Sequence, residues 1–416
     1  MKRFFLFLVL VPFLLPLETF TLKNGMKIIL VKRNIPAVFL TVYYRAGSFF
    51  DPPGQEGMAY LTSRISFTCR RKSRPWEQVF FLKRIGGEIN VEVNQDYAVY
   101  SSYFPKEELP LALWYEMERM KAVFVKKEIF LEQKRKLSNQ VFNQMRSDPW
   151  LLVYSAILRS SYYSTPYSHP PWGLPGNIRK IPLKSLVEFY NTYYQPATAT
   201  MIIIGNIGEQ EKALISKMFS PLKGTPIMLP EKVEFPARDF KDTIETKTLK
   251  KPGFVISYRI SNPVCIQRIA LELLNENLNR KIQNYRAKKS MEGTIKIVVS
   301  HFVFSSLISI MYTGKDYKEV EKFLGDEITR LKISPMKGEE LNGLKMSFIR
   351  KLREEELNPV AWGRELGSLF LIYRCSEERI LSETISINNK RFRDLIRSNF
   401  SPFNRARIYL KPWQEK

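Results

Sequence analysis

The chain has 416 residues, of which 44% are hydrophobic and 13% aromatic, and its formal net charge is +24. This length and apolar content exclude a disordered chain and predict at least two domains, because single cores rarely grow beyond about 300 residues. The lysines and arginines are scattered and form no recognisable nucleic-acid motif. The charge therefore predicts a basic surface and no specific nucleic-acid partner.

The first segment, residues 1–17, is predicted to be a signal peptide or an N-terminal anchor. Lys2 and Arg3 precede an apolar run that is shorter than the roughly 20 residues of a transmembrane helix and is interrupted by two prolines. No small-x-small cleavage pattern ends the run, so an uncleaved anchor remains an alternative. We predict an exported protein, periplasmic, in the cell envelope or secreted, with membrane association only through this segment.

Residues 18–220 are predicted to form a first domain of strands and helices. A hairpin around Asn24-Gly25 opens it, since this dipeptide is a strong signal for a tight turn. Helices are predicted where apolar residues recur at three- and four-residue steps. The predicted helices are 57–67, 75–87, 106–125, 126–145 and one that ends before Pro196; the predicted strands are 37–48, two within 88–105, and the apolar run after Pro196.

A proline-containing stretch, 221–240, lacks periodicity and is predicted to be a linker. Beyond it, 241–416 repeats the order of strand, helix, two strands and several helices, and it ends with a strand. We therefore predict an α+β fold of two structurally similar domains, each a mostly antiparallel sheet packed with helices.

The predicted helix "GMAYLTSRISF", 57–67, carries Tyr60, Ser63 and Arg64 at helical spacing. Positions 60 and 64 are four residues apart and share one face of the helix. A catalytic zinc ion prefers neutral histidines and a carboxylate, whereas a guanidinium is a permanent cation without an acceptor. A serine nucleophile would need a base, and no histidine or lysine lies nearby in the sequence.

Several ordered landmarks resemble the pitrilysin/insulinase family, the zinc peptidases with the inverted motif H-x-x-E-H. They are the opening hairpin, "YYRAGSFFDPPGQEGMAYLTSRISF", "GGEINVEVNQDYAVYSSYFP" and "YYSTPYSHPPWGLPGNIRKIPLKSLVEFYNTYYQPATATMIIIGNI". The resemblance covers nearly the whole mature chain and implies the half-clamshell fold of this family.

The resemblance implies that the metal site of the family is degenerate in this chain. Tyr60 and Arg64 stand at its two metal histidines, Ser63 at its general-base glutamate and Gln140 at its third ligand, a glutamate. All four residue types have changed, which implies no catalytic residue and no metal ligand here. A hydrogen bond between Arg64 and Gln140 across the former site is expected.

The resemblance also implies an arginine and a tyrosine in the second domain that hold substrate near the zinc. Arg286 in "YRAKKSMEG" matches the arginine, but Gly293 stands at the tyrosine. Arg286 is therefore a candidate substrate-binding residue, with an ordinary residue of a basic loop as the alternative. The only two histidines, His169 and His301, are predicted to have structural roles.

The three cysteines, Cys69, Cys265 and Cys375, are far apart in the sequence. They show neither metal-ligand spacing nor the even number of a disulfide framework. We predict that they are buried, small apolar residues.

Together these features predict a proteolytically inactive homologue of insulinase-type metallopeptidases that holds no cofactor of its own. It would be the non-catalytic subunit of a heterodimer with an active relative, with zinc only in the partner and a peptide-degrading or processing chamber between them. A homodimer is the alternative assembly. The alternative function is a non-enzymatic scaffold whose basic surface binds peptides or envelope components.

Overall fold

A computed structural model describes residues 17–68, 76–121 and 123–413 of the chain. In these ranges eleven strands form two sheets, and fourteen α-helices pack on them. The predicted leader lies outside the described residues except for Leu17, which begins the first strand, and Cys69 also lies outside them. Nowhere in these ranges is a helix both long enough and apolar enough to cross a membrane.

The strands are β1 (Leu17–Thr21), β2 (Lys27–Lys32), β3 (Ala37–Tyr44), β4 (Glu88–Val93), β5 (Ala98–Pro105), β6 (Ala199–Gly205), β7 (Phe240–Thr246), β8 (Gly253–Ser261), β9 (Thr294–His301), β10 (Ser305–Thr313) and β11 (Arg405–Pro412). The helices of the first half are α1 (Met58–Ile65), α2 (Glu77–Arg84), α3 (Leu109–Arg119), α4 (Lys127–Ser147), α5 (Pro149–Ser161), α6 (Pro175–Lys180), α7 (Leu183–Tyr193) and α8 (Glu209–Phe219). Those of the second half are α9 (Cys265–Lys289), α10 (Tyr317–Ile333), α11 (Gly338–Leu357), α12 (Pro359–Gly367), α13 (Glu377–Ser386) and α14 (Asn389–Asn399).

The two sheets share one strand pattern, as predicted for two similar domains. The first sheet has the order β1-β2-β6-β3-β5-β4 and the second the order β7-β11-β8-β10-β9. In each sheet one pair is parallel, β2 with β6 and β7 with β11, and all other neighbours are antiparallel. The first sheet differs by the additional edge strand β1. The predicted fold class is therefore confirmed.

Both faces of the first sheet are buried at its central strands, which explains the continuous apolar runs of these strands. In β6, Met201 and Ile203 face the core that contains α1, whereas Ile202 and Ile204 belong to the core that continues into the second half. Helix α12 from the second half covers this other face, against β3 and β6. Strands buried on both sides lose the polar alternation of half-exposed strands.

The first half contributes a helix to the second sheet in return. Helix α5 packs on β7, β8 and β11, and the Tyr162 and Ser305 hydroxyls, which are 2.9 Å apart, join the two halves just beyond its end. Because each half covers one face of the other sheet, the two halves share a core. The stretch 221–239 between them contains no helix or strand. The domain limits at 18–220 and 241–416 stay a prediction.

Candidate functional site: the helix pair α1 and α4

Helix α1 begins at a backbone position that requires glycine. Gly57 has φ +103°, and a side chain there would meet the Ile178 side chain at 2.8 Å. The Asp51 carboxylate caps the helix, accepting hydrogen bonds from the backbone N–H groups of Gly57 at 2.7 Å and Ala59 at 2.8 Å. A carboxylate at this position satisfies orphan N–H groups and favours the positive end of the helix dipole. The first turn of α1 is therefore held tightly.

Asp51 has a second partner in a distant part of the chain. His169 Nε2 lies 3.3 Å from Asp51 Oδ2, and both side chains are largely withdrawn from solvent. Burial raises the pKa of Asp51, and the hydrogen bond with His169 opposes this shift. His169 thus supports the loop that positions α1, which agrees with its predicted structural role.

The three sequence-predicted residues of α1 have different environments. Ser63 is buried, with 4% of its surface exposed, and its hydroxyl donates to the Tyr60 carbonyl at 2.8 Å. Tyr60 and Arg64 are only half-buried and follow one another along one helix face. Because the Ser63 hydroxyl is bonded within its own helix turn and to no basic side chain among the described residues, the arrangement does not activate it as a nucleophile.

Arg64 reaches across to helix α4, as predicted. Its Nη1 donates to Gln140 Oε1 at 2.7 Å, so residues 76 positions apart in the sequence are joined. Gln140 is placed there because Phe130, Leu137 and Val141 bury the adjacent face of α4 in the core that also holds α1. The helix pair therefore brings Arg64 and Gln140 together on its exposed side.

The residues of this helix pair do not fit a zinc ion. The Gln140 oxygen already accepts from a permanent cation, and the Arg64 Nε is buried without a hydrogen-bond partner in the described ranges. A divalent ion would have to approach a guanidinium that offers donors only. In residues 17–68, 76–121 and 123–413, no group of three or more His, Cys, Asp and Glu side chains is arranged to hold a metal ion.

A buried ionic network, which the sequence analysis missed, supports the other side of α1. The Arg119 guanidinium is fully buried and donates to Glu116 at 3.0 and 3.1 Å, to Gln78 at 2.6 Å and to the Ser66 hydroxyl at 2.8 Å. The Arg119 Cζ atom lies 3.9 Å from the centre of the Tyr100 ring. A buried guanidinium with this many partners fixes the end of α1 against α3 and β5.

Arg286, the candidate substrate-binding residue, lies in the last turn of α9 and donates to the Gly293 carbonyl and to Gln283 Oε1. The Tyr312 ring lies directly against Gly293, and a side chain at 293 would overlap it. The Tyr312 hydroxyl donates to Asp316 at 2.6 Å. Close packing against Tyr312 thus explains why residue 293 is a glycine, and the sequence did not reveal this contact. A role of Arg286 in substrate binding stays a prediction.

His301 has partners at both ring nitrogens, in agreement with a structural role. Nδ1 lies 2.7 Å from the Ser306 hydroxyl and Nε2 lies 3.1 Å from Glu272 Oε1. Burial lowers the pKa of His301, whereas the hydrogen bond with Glu272 acts in the opposite direction.

The prediction that the cysteines are unpaired is wrong for two of them. Cys265 at the start of α9 and Cys375 after α12 form a disulfide, with Cα atoms 6.2 Å apart and a sequence separation of 110. Both are buried, at 3% and 4% exposure, as predicted. Nothing in the spacing of an odd number of cysteines reveals a contact between elements so distant in the chain.

Comparison with known proteins shows which protein family this chain resembles in sequence. Residues 27–169 match the family described as Insulinase (Peptidase family M16), and residues 180–348 match the family described as Peptidase M16 inactive domain. A zinc protease of Helicobacter pylori, PqqE, is 25% identical over 209 residues, which cover 50% of this chain and 47% of that protein. The aligned part thus spans about half the length of this relative.

Solved structures agree over almost the whole chain. A protease from Helicobacter pylori superimposes with a TM-score of 0.84 at 19% identity, covering 95% of this chain and 99% of that one. The periplasmic protease PqqL from Escherichia coli superimposes with a TM-score of 0.76 at 17% identity, covering 95% of this chain but 47% of that one. The sequence matches on both sides of residue 170 and the shared fold lead to one conclusion: the chain belongs to the insulinase family of peptidases, family M16.

Proposed function

We propose that this chain is a proteolytically inactive insulinase-family protein that pairs with an active, zinc-bearing relative to form a peptide-degrading or processing chamber. The observation that carries the proposal is the hydrogen bond between Arg64 and Gln140. A guanidinium held at this place supplies a positive charge where the catalysis of the family requires a metal cation. The chain would then contribute chamber wall, binding surface and stability to its partner.

The electrostatics support the absence of zinc chemistry in this half. Zinc-dependent hydrolysis needs three protein ligands and a water or hydroxide, with a carboxylate or histidine as proton acceptor. Tyr60, Ser63, Arg64 and Gln140 provide a phenol, an alcohol, a guanidinium and an amide. None of these residue types offers a carboxylate or an imidazole to a metal ion.

The lengths of its relatives support the pairing. This chain corresponds to 47% of the Escherichia coli protease PqqL, so one chain of that protein is about twice as long as the region matched here. Two units of this size would together match the length of that protein. We therefore propose a heterodimer in which zinc resides in the partner only.

The proposed compartment is the periplasm or cell envelope. Lys2 and Arg3 before an apolar run are typical of a secretory signal. The disulfide between Cys265 and Cys375 supports an oxidising compartment, because such bonds rarely persist in a reducing cytosol. PqqL from Escherichia coli, described as periplasmic, has the same fold.

The proposal is tested by purifying the chain alone and together with an H-x-x-E-H relative from the same organism, and by measuring zinc content and peptide cleavage. We expect no stoichiometric zinc and no cleavage from the lone chain, and a stable zinc-containing heterodimer from co-expression. Stoichiometric zinc or cleavage in the lone chain would contradict the proposal. A monomer or homodimer that binds acidic ligands in a salt-sensitive way would favour the scaffold function.

A reconstructed site tests the four positions themselves. The quadruple variant Tyr60→His, Ser63→Glu, Arg64→His, Gln140→Glu should bind about one zinc ion per chain, because it restores three ligands of the preferred types. The triple variant that retains Gln140 is the matched control and should bind zinc much more weakly. If both bind zinc equally, Gln140 does not stand at the position of a ligand.

A further inference from the structure

We propose that the exposed side of the α1–α4 helix pair, where zinc does not fit, is a binding site for a peptide carboxylate. The inference concerns the same positions as the proposed function and rests on its claim that no metal lies there. It does not depend on a partner chain. The ligand class is a peptide with an accessible carboxylate, from a Glu or Asp side chain or from a free C-terminus.

The first argument is the spare capacity of Arg64. Its guanidinium has five N–H donors, and its one hydrogen bond to a described residue is that of Nη1 with Gln140 Oε1. In the described ranges it forms no ion pair with Asp or Glu, whereas other arginines do, at 2.6 to 2.9 Å: Arg280, Arg330, Arg353 and Arg405. Its Nε is buried and has no hydrogen-bond partner there. The buried Nε is out of reach of a ligand, whereas the remaining Nη N–H groups of the guanidinium can donate to a carboxylate.

The neighbouring groups also favour an anion. Tyr60 precedes Arg64 by one helix turn on the same face and presents a phenol hydroxyl, which can donate. Gln140 uses its oxygen to accept from Arg64, and its amide nitrogen forms no hydrogen bond with a described residue. Two side chains that can donate, a phenol one helix turn earlier and an amide on α4, therefore lie near this positive charge in the helix pair. A cation would be repelled by this set, whereas a carboxylate accepts from it.

The surroundings favour a peptide over a lipid or a nucleic acid. Helix α1 packs beside β4, and β4 ends the first sheet, pairing in the described part of the chain with β5 alone. An edge strand offers unpaired backbone groups that an extended peptide can meet. The charge of +24 would also increase the encounter rate with acidic peptides.

The test uses the purified chain and three fluorescently labelled octapeptides of otherwise identical sequence. One has a central Glu and an amidated C-terminus, the second has Gln at that position and a free C-terminal carboxylate, and the third has Gln and an amidated C-terminus. Binding is followed by fluorescence anisotropy at low and at high salt. We expect at least one carboxylate peptide to bind about tenfold more tightly than the neutral peptide, because only a carboxylate forms charge-assisted hydrogen bonds with the guanidinium.

The first two peptides distinguish the two sources of the carboxylate. Preference for the Glu peptide assigns a side chain as the ligand, and preference for the free C-terminus assigns a peptide end. Either preference should weaken as salt is added, because the site is only half-buried. Equal binding of all three peptides, or no binding by any of them, would overturn the proposal.

Two variants locate the site. Arg64→Gln removes the charge, and Gln140→Glu supplies a carboxylate from within the chain that occupies the guanidinium. Both should abolish the tenfold preference, and Gln140→Glu should do so without loss of thermal stability. Arg350→Gln is the matched control, since its side chain is 72% exposed in α11, and it should bind like the wild type. Unchanged preference in both site variants would refute the assignment, independently of whether a partner chain or zinc is found.

Discussion

Two arginines lie at the same short helix, Arg64 within α1 and Arg119 beside its end, and their surroundings differ. Arg119 is fully buried under the end of α1, and its guanidinium donates to Glu116, Gln78 and Ser66. Arg64 is half-buried on the exposed side of α1 and donates only to Gln140 among the described residues. A buried charge is tolerated only when its partners replace the lost water, whereas a half-exposed charge can remain incompletely paired. The first arginine is structural, and the second has capacity left for a ligand.

The largest expected effect comes from replacing Arg119 by methionine, and the same replacement at Arg64 is its comparison. Arg119→Met should lower the free energy of unfolding by about 3–5 kcal/mol, because it removes the cation of a buried ionic network. Arg64→Met should cost less than about 1 kcal/mol, since its one hydrogen bond is half-exposed. Urea denaturation of both variants measures the two values.

Similar decreases in the free energy of unfolding for Arg119→Met and Arg64→Met would contradict this distinction between the two arginines. They would show that Arg64 is as structural as Arg119 and has no capacity left for a ligand. Arg350→Met provides the baseline for an arginine on an exposed helix surface, where the change should be within about 0.5 kcal/mol.

Much of the environment of Arg64 was predictable from the sequence, and the environment of Arg119 was not. The helical spacing of Tyr60, Ser63 and Arg64 follows from local periodicity, and the contact with Gln140 follows from the family resemblance. Arg119 lies in a predicted amphipathic helix, in which a charged residue is expected to face water. Only the tertiary structure shows that Glu116 and Gln78 accompany it into the core.

The missed elements have similar physical explanations. Helix α5 is apolar around much of its circumference because both halves of the molecule cover it, so its sequence "PWLLVYSAILRSS" lacks the polar face of a surface helix. The cap of α1 by Asp51 depends on His169, 118 residues later. The disulfide joins residues 110 positions apart. Local patterns predicted most helices and every strand except β7, which begins at the end of the predicted linker, but they do not contain these long-range contacts.

A smaller effect, dependent on pH, extends the comparison to acidic residues. Glu116 lies beside Arg119, whereas Glu365 in α12 forms no ion pair with a described residue, and burial, with repulsion from Glu355 and Glu272, raises its pKa to about 7. Since the folded-state pKa lies above the unfolded value, the folded state binds the proton more tightly. Stability should therefore fall as the pH rises from about 4.5 to about 7, by about 1–2 kcal/mol.

The variant Glu365→Gln should remove this decrease. It should be about 1–2 kcal/mol more stable than the wild type at pH 8 and nearly equal to it at pH 5, as measured by urea denaturation. Glu354→Gln, whose side chain is 65% exposed, is the control and should leave the pH dependence unchanged. Equal stability of wild type and Glu365→Gln at pH 8 would show that burial does not penalise this carboxylate.

The smallest expected effect concerns Arg64 itself. Gln140→Glu places a carboxylate where an amide oxygen now lies 2.7 Å from Arg64 Nη1, and the half-exposed ion pair should add about 0.5 kcal/mol to the free energy of unfolding. The pair would lower the folded-state pKa of the new glutamate, so the gain should be present above about pH 4.5 and be lost as the pH falls below it. Denaturation at pH 7 and pH 3, each at low and high salt, measures this. If Gln140→Glu does not raise the free energy of unfolding at pH 7 and low salt, the Arg64 guanidinium is not free to bind a carboxylate. A peptide carboxylate, which is not already held beside Arg64 as the side chain at 140 is, would then not bind there either.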